Sequence, residues 1–156
     1  MYSNNLICDI LVYIDNNIGD KITIEELENR FFYNRYYIMK LFKKEIGITL
    51  INYINHIRIY NSIIFIKESS NNLLNIAFKS GFYSIEYFSE VFKSIIGVNP
   101  QVAKNYLKKK KDIKTNQAER INDSIASLYA LKEFKERYLL NRRPSVLPTK
   151  KLSIFK

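Results

Sequence analysis

Residues 34–50 read NRYYIMKLFKKEIGITL and residues 84–100 read SIEYFSEVFKSIIGVNP, so a similar stretch occurs twice in the chain. The matched pairs are Tyr37 with Tyr87, Phe42 with Phe92, Lys43 with Lys93, Ile46 with Ile96 and Gly47 with Gly97. Each copy begins at a residue suited to cap a helix, places apolar residues at helical spacing and ends at a glycine. A helical unit used twice at a fixed spacing predicts two contacts with a repeating ligand, and the major groove of duplex DNA is such a ligand.

Caps and apolar spacing predict further helices around the two copies. TIEE, which begins at Thr23, forms a capping box, and Asn34 caps the next helix, so a first helix-turn-helix unit is predicted over about 23–47. A connecting helix follows over about 49–67, and a second helix-turn-helix unit follows over about 73–97. We therefore predict an all-α fold with two helix-turn-helix subdomains, a connecting helix and a C-terminal helical extension.

The composition restricts the class of protein. With 156 residues, of which 47% are apolar, and only four glycines and three prolines, the chain suits one domain or two small ones built of long helices. The single cysteine, Cys8, excludes an internal disulfide framework. No apolar run is long enough to cross a bilayer and the amino terminus lacks the features of a secretory signal, so we expect a cytoplasmic protein without membrane contact.

The positive charge is concentrated near the carboxyl end. The formal net charge is +10, but residues 1–103 carry ten basic and ten acidic residues, whereas residues 104–156 carry fifteen basic and five acidic ones. Residues 108–156 are predicted to form a basic extension with an amphipathic helix over about 118–140. This extension is interpreted in three ways: a helix docked on the domain with a solvated basic end, a non-specific grip on phosphates, or a helix for dimerisation or a partner protein. The candidate phosphate contacts in it are Lys108, Lys109, Lys110 and Lys111.

Three longer motifs carry a family resemblance. ITIEEL followed by FYNRYYIMKLFKKEIGIT covers the first unit, YINHIRIYNSIIFI covers the connecting helix, and IAFKSGFYSIEYFSEVFKSIIGVNP covers the second unit. Together they resemble the DNA-binding domain of the AraC/XylS family of bacterial transcription regulators, over residues 5–107. The resemblance implies that two recognition helices enter successive major-groove segments, roughly 34 Å apart. It also makes Arg58, on the connecting helix, a candidate phosphate contact.

The first recognition helix has a mostly basic outward face. By resemblance, three residues fall at base-reading positions: Tyr36, Met39 and Lys40. Two others are expected to hold the phosphate backbone: Arg35 and Lys43. Lys40 can donate to guanine O6 or N7, and Tyr36 can contact a thymine methyl or a phosphate. Outside this double motif, the same residues would be interpreted as a solvated basic face.

The second recognition helix is less basic. Its candidate DNA contacts are Ser84, Ile85, Glu86, Ser89 and Lys93. Glu90 stands where the family commonly has a basic residue, and a carboxylate near phosphates is repulsive, although a glutamate can accept a hydrogen bond from the N4 amine of cytosine. We expect this helix to contribute shape, and less affinity than the first.

The first unit departs from the family pattern at two places. Glu28 stands where the family usually has alanine, so its carboxylate must reach outward or loosen the crossing of the two helices. The first turn has Phe31-Phe32 where the second has Gly81-Phe82. We expect the fold to tolerate both departures, with the first helix pair slightly re-spaced.

Catalytic and metal-binding patterns are absent from the sequence. His56 and Cys8 are the only histidine and cysteine, and they lie on different predicted helices, with no third residue that would complete a catalytic or metal-binding motif. The chain contains no zinc-ligand spacing, phosphate-binding glycine loop or nucleophile elbow. We therefore expect no enzyme activity, no metal and no cofactor.

These features predict a sequence-specific, DNA-binding transcription regulator that is associated with the nucleoid. By the tendency of the family, we expect an activator that helps to recruit RNA polymerase. The alternative is a protein-interaction module with a degenerate DNA-binding fold that acts by binding another regulator, and the neutral first part of the chain and the acidic second recognition helix favour it. A basic protein that binds DNA without sequence preference is a third interpretation.

Overall fold

Eight helices make up the described part of the chain. The structure is a computed structural model, and it describes residues 2–108 and 114–142. The helices are α1 Tyr2–Asn17, α2 Ile24–Phe31, α3 Arg35–Ile46, α4 Leu50–Glu68, α5 Leu73–Lys79, α6 Ile85–Ile96, α7 Pro100–Leu107 and α8 Thr115–Arg142. Within these ranges the structure has no strand. The predicted all-α fold is confirmed: α2–α3 and α5–α6 are the helix-turn-helix pairs, α4 connects them, and α8 is the C-terminal helical extension.

The first helix pair is bounded by the predicted caps. Thr23 Oγ1 accepts from the backbone N–H of Glu26 at 3.2 Å, and the Thr23 N–H donates to Glu26 Oε2 at 3.0 Å, which completes a capping box at the start of α2. Asn34 Oδ1 accepts from the Tyr36 N–H at 2.9 Å and starts α3. Gly47, with φ 93°, ends α3 in the left-handed conformation that glycine adopts readily.

The second pair repeats these devices. Ser84 Oγ accepts from the Tyr87 N–H at 3.0 Å at the start of α6, and Gly97, with φ 91°, ends it. A Cβ atom at Gly97 would also lie 3.0 Å from Arg120 Nε, so a side chain there would meet both strain and crowding. Cap substitutions typically cost about 1 kcal/mol each, so the caps fix helix boundaries while burial provides most of the stability.

The chain divides into two compact units. Among the described residues, the amino-terminal unit consists of 2–54 together with 132–142, and the central unit consists of 55–108 together with 114–131. The largest fully buried side chains of the amino-terminal unit include Ile7, Ile10, Leu11, Ile14, Leu27, Ile38, Phe42 and Tyr53. Those of the central unit include Ile59, Phe82, Phe88 and Phe92. Each helix-turn-helix pair therefore lies in its own unit with its own core, and α4 and α8 contribute residues to both units.

The first part of α8 belongs to the core of the central unit. Ile121, Ile125 and Leu128 are buried there, among the side chains of the second helix-turn-helix pair. Ser124 Oγ donates to the Ile96 carbonyl at 3.2 Å, next to the end of α6. In this unit α8 is a packed structural helix.

The last part of α8 is packed in the amino-terminal unit. Lys135 Nζ donates to Asp15 Oδ2 of α1 at 2.7 Å. The Tyr138 hydroxyl donates to Glu45 Oε2 of α3 at 3.3 Å, so this part of α8 contacts the recognition helix directly. Tyr138 and Leu139 are buried. Of the interpretations of the extension, a docked helix describes residues 115–142 as the structure shows them.

Candidate nucleic-acid interface

The outward face of α3 is basic and aromatic. Ile38, Leu41, Phe42 and Ile46 are buried and hold the helix on the core of the amino-terminal unit. The exposed side chains of α3 include those at positions 36, 39, 40 and 43, a spacing that places these four on one side of the helix. Tyr36 is 75% exposed and Met39 is 43% exposed, and Lys40 and Lys43 are also exposed. The structure thus brings together four of the five residues that the sequence assigns to DNA on this helix.

The fifth residue, Arg35, is directed toward α2. Its backbone N–H donates to Glu28 Oε1 at 2.7 Å, and its guanidinium donates to both Glu28 oxygens, at 3.2 Å from Nε and 2.9 Å from Nη2. Arg35 Nη2 also lies 3.5 Å from Glu25 Oε1. The hydrogen bonds that Arg35 donates to the Glu28 carboxylate lower the pKa of Glu28 and raise the pKa of Arg35. Arg35 is therefore paired with carboxylates and fixes the start of α3 against α2.

The Glu28–Arg35 contact shows how the first unit accommodates a glutamate where the family usually has alanine. The carboxylate reaches to the start of α3 and satisfies a backbone donor in the first turn of that helix, which has no partner within the helix. The sequence signal was a glutamate seven residues before an arginine. Because a turn separates the two residues, no rule of helical spacing pairs them.

The turn between α2 and α3 differs from its counterpart between α5 and α6. In the second turn Gly81 takes the left-handed conformation with φ 98°, and Phe82 is buried, with its ring 5.3 Å from that of Phe88. In the first turn the left-handed residue is Phe32, one position later in the repeat, and its ring is 90% exposed. Phe31 packs instead, with its ring 6.1 Å from that of Tyr13. The left-handed residue of the first turn is thus one position later in the repeat than that of the second, and α2 ends two positions later than α5.

The second recognition helix, α6, is expected to attract DNA less strongly than α3, because its exposed face is more acidic. Glu86, Glu90 and Lys93 are exposed, whereas Ser84, Ile85 and Ser89 are half-buried. Tyr87 accepts a hydrogen bond through its hydroxyl from Asn55 Nδ2 at 3.0 Å, which ties α6 to α4 within the central unit. The outward face of α6 therefore carries Glu86 at the start of the helix, Glu90 in its middle and Lys93 in its last turn.

The remaining candidate phosphate contacts lie in structural positions or outside the described residues. Arg58 is half-buried in the central unit, with its guanidinium carbon 5.9 Å from the centre of the Phe82 ring, and burial lowers its pKa. Lys108 Nζ donates to the Ser69 carbonyl, and Lys104 Nζ donates to the Asn71 carbonyl at 3.0 Å. These two lysines hold the end of α7 near the loop that follows α4. Three predicted contacts lie outside the described residues: Lys109, Lys110 and Lys111.

Two helix-turn-helix pairs, each with a capped second helix and an outward polar face, define a DNA-binding protein of the helix-turn-helix class. A family model described as a helix-turn-helix domain matches residues 27–106, more than half of the chain. The chain belongs to the AraC/XylS family of DNA-binding transcription regulators. The predicted resemblance is confirmed.

Similar proteins occur in several bacteria. The Transposon Tn10 TetD protein of Escherichia coli is 30% identical over 99 residues, which cover 64% of this chain and 72% of that protein. The HTH-type transcriptional activator AarP of Providencia stuartii is 25% identical over 101 residues, covering 65% and 75% of the two chains. The multiple antibiotic resistance protein MarA of Salmonella typhimurium is 30% identical over 91 residues, covering 58% and 72%.

Solved structures share the fold. A protein of unknown function from Listeria innocua superposes with a TM-score of 0.60 at 30% identity, covering 62% of this chain and 92% of that one. The C-terminal domain of AraT, a response regulator from Geobacillus stearothermophilus, superposes with a TM-score of 0.59 at 22% identity, covering 70% and 88%, and shows the fold alone.

Two other features are absent from the described residues: a cluster of metal ligands and a membrane-spanning helix. Among residues 2–108 and 114–142, no group of three or more His, Cys, Asp or Glu side chains is placed to hold a metal ion. No helix in the same part of the chain has the length and apolar character needed to cross a membrane. The family is one of transcription regulators, and the narrower statement that this chain catalyses no reaction stays a prediction.

Proposed function

We propose that this protein is a sequence-specific transcription regulator in which α3 reads bases and α6 contributes mainly shape. The observation that carries the proposal is the contrast between the outward faces of the two recognition helices. The α3 face presents Lys40 and Lys43 beside exposed Tyr36, whereas the α6 face presents Glu86 and Glu90. DNA is a polyanion, so the helix with exposed lysines has the stronger electrostatic attraction to it.

Lys40 is the proposed base-reading residue of α3. It is exposed in the middle of the helix, where its ammonium group can donate to guanine O6 or N7 in the major groove. Tyr36 and Met39 lie on the same side of the helix and supply apolar contact with base edges. Lys43 lies one turn further on and is assigned to a phosphate.

Arg35 takes a positioning role in this proposal. From the sequence it was a candidate phosphate contact, but its guanidinium is held by Glu28 and Glu25. A guanidinium that is already paired with carboxylates has less positive charge to offer a phosphate. We therefore assign Arg35 to fixing the angle at which α3 leaves the turn.

For α6, the proposed contacts are backbone and shape contacts. Ser84 and the first N–H groups of the helix can approach a phosphate, and Lys93 can reach another, while Ile85 and Ser89 provide surface fit. Glu86 and Glu90 oppose close approach to phosphates but can accept from a cytosine amine. The second contact is expected to add less affinity than the first.

Activation of transcription is part of the proposal. It is supported by the names of relatives, among them the transcriptional activator AarP, and by membership of a regulator family. On this basis the protein acts in the cytoplasm on promoter DNA, where it contacts RNA polymerase.

Selection of binding sites from random duplex DNA with the full-length protein tests the proposal. We expect a two-part motif. Lys40→Ala should relax the preference at one base position, because one base contact is worth about 1–3 kcal/mol of discrimination. Lys67→Ala is the matched control, since Lys67 is an exposed lysine outside both recognition helices, and it should leave the motif unchanged.

Two outcomes would contradict the proposal in different ways. If the Lys40→Ala protein selects the same motif as the wild type, α3 does not read bases through Lys40. If the wild type enriches no motif and binds no duplex, the protein-interaction module becomes the better explanation, and the acidic face of α6 is the feature that favours it.

A further inference from the structure

Phe32 has a backbone conformation that is unfavourable for phenylalanine. Its φ is 60° and its ψ is 35°, and within the described ranges it is the only residue other than glycine with a positive φ. The left-handed region is disfavoured for residues with a side chain because Cβ crowds the following carbonyl oxygen. Glycine or asparagine would end α2 with less strain. The requirements of the turn therefore do not explain why a phenylalanine stands here.

The ring of Phe32 also contributes little to the core. It is 90% exposed, whereas Phe82, at the same place in the second copy, is 2% exposed. In the first unit Phe31 provides the aromatic contact with the core, against the ring of Tyr13. An exposed aromatic ring on a strained backbone is a feature that points to a contact outside the chain.

The surroundings of Phe32 point to DNA as the contact. Phe32 lies two residues before Asn34, the cap of α3, and in a helix-turn-helix protein the first residues of the recognition helix approach the base edges. Next to it, the rings of Tyr33 and Tyr37 stack at 5.3 Å. Tyr36 follows on the exposed side of α3, which also carries Lys40. The exposed aromatic rings thus lie beside the basic face of α3. Such a surface suits DNA, which has negatively charged phosphates and displays apolar methyl groups in its major groove.

We propose that Phe32 is a specificity-determining DNA contact whose ring packs on thymine C5 methyl groups at the edge of the major-groove segment that α3 reads. The inference rests on the proposed function. A phenyl ring has no hydrogen-bonding group for a phosphate, and the thymine methyl is the apolar group that base pairs display in the major groove. The selected motif should therefore contain thymine beside the bases read by α3.

The test compares Phe32→Asn and Phe32→Gly with the wild type, all as full-length proteins. Both replacements suit the left-handed conformation, so we expect Phe32→Asn to raise the melting temperature by about 3 °C through relief of strain. The dissociation constant for the selected duplex should nevertheless rise about fivefold for both variants, which corresponds to about 1 kcal/mol. A purely structural role for the ring would not produce higher stability together with weaker binding.

Two controls separate the ring from other effects. Phe32→Tyr keeps an aromatic ring and should retain affinity within about twofold. Leu140→Asn removes another exposed apolar side chain from the same unit, 68% exposed on α8, and should leave DNA affinity unchanged. A duplex with uracil in place of thymine at the motif edge lacks the methyl group, so wild type should lose affinity on it and Phe32→Asn should bind both duplexes equally.

The inference is overturned if Phe32→Asn binds the selected duplex as tightly as wild type. It is also overturned if wild type binds the thymine and uracil duplexes equally, because the ring would then not contact the methyl group. Failure of the proposed function is distinguishable: in that case Lys40→Ala also leaves the selected motif unchanged, whereas failure of this inference alone leaves the effect of Lys40→Ala intact.

Discussion

Lys135 is a buried cation in the amino-terminal unit, and its removal should destabilise the protein strongly. Its side chain is 3% exposed, and Nζ lies 2.7 Å from Asp15 Oδ2 and 3.0 Å from Glu136 Oε1. The contact with Glu136 is ionic, because neither carboxylate oxygen of Glu136 accepts a hydrogen bond within the described residues. Lys135 is thus in direct contact with two carboxylates and compensates their charge.

The magnitude follows from burial. Lys135→Met keeps most of the side-chain volume but leaves Glu136, 6% exposed, and Asp15, 20% exposed, without the cation they contact. Tyr53 adds no charge to this group of side chains, because burial raises its pKa well above the ordinary value and keeps its hydroxyl neutral. Breaking a buried ion pair costs about 3–5 kcal/mol. At about 2–4 °C per kcal/mol for a chain of this size, we expect the melting temperature to fall by about 10 °C.

Urea unfolding followed by circular dichroism measures this effect. Arg137→Met is the matched control: its side chain is 78% exposed and lies 3.9 Å from Glu133, so its loss should change the free energy of unfolding by less than about 0.5 kcal/mol. Combining Lys135→Met with Asp15→Leu and Glu136→Leu should recover much of the stability, because it removes the carboxylates that have lost the cation in direct contact with them. If Lys135→Met is no more destabilising than Arg137→Met, the assignment of Lys135 to the core of this unit is refuted.

Two further predictions concern titratable groups of the same unit. Hydrogen bonds from Arg35 lower the pKa of Glu28, so its stabilisation is present above the ordinary carboxylate pKa and is lost as pH falls through the lowered value. The difference in melting temperature between wild type and Glu28→Gln should therefore shrink below about pH 4, and a difference independent of pH would contradict this. Burial raises the pKa of the Cys8 thiol from 9.0 to about 11, so its contribution to stability is complete below the first value and is lost as pH rises through the second. At about pH 8 the folded chain should react with an aromatic disulfide reagent at least about 100-fold more slowly than the urea-unfolded chain, and equal rates would show that Cys8 is accessible.

The parts of the fold that follow from local chemistry were predictable from the sequence. Thr23 with Glu26, and Asn34, start helices because their side chains satisfy nearby backbone donors. Gly47 and Gly97 end helices because the left-handed conformation costs glycine little. Each of these signals involves residues within one turn of a helix, so it can be recognised without knowledge of tertiary contacts.

Two features of the first turn depend on tertiary contacts and were not predictable in detail. The sequence aligns Phe32 with Phe82, but the ring that packs in the first unit is that of Phe31, because α2 ends two residues later relative to the repeat than α5 does. Glu28 is recognised as a departure from the family, but its bond to Arg35 spans the turn and follows from no helical spacing. Both the choice of the packed ring and the Glu28–Arg35 bond depend on the geometry of the turn.

The buried face of α8 could not be predicted in full from the sequence, because one of its positions is a lysine. Apolar spacing predicts a stripe through Ile121, Ile125, Leu128, Leu131, Phe134 and Tyr138. Among the buried positions of α8, which also include 136 and 138, positions 121, 125, 128, 135 and 139 keep a regular helical period, and Lys135 occupies one of them. Phe134, one position off this line, is 42% exposed. A lysine is normally expected to be exposed to solvent. The sequence therefore could not show that Lys135 is buried in contact with two carboxylates.

The contrast between α3 and α6 is tested most directly by measuring affinities of Lys40→Ala and Glu90→Gln for the selected duplex and for a duplex with one base pair changed in the α3 half. We predict that Lys40→Ala weakens binding to the selected duplex about tenfold but binds the changed duplex about as well as wild type does. Glu90→Gln should strengthen binding to both duplexes by a similar factor, because it removes repulsion from phosphates and leaves the contacts of α3, where the two duplexes differ, unchanged. If Lys40→Ala weakens binding to both duplexes equally, Lys40 contacts only the backbone, and the claim that α3 reads the sequence is contradicted.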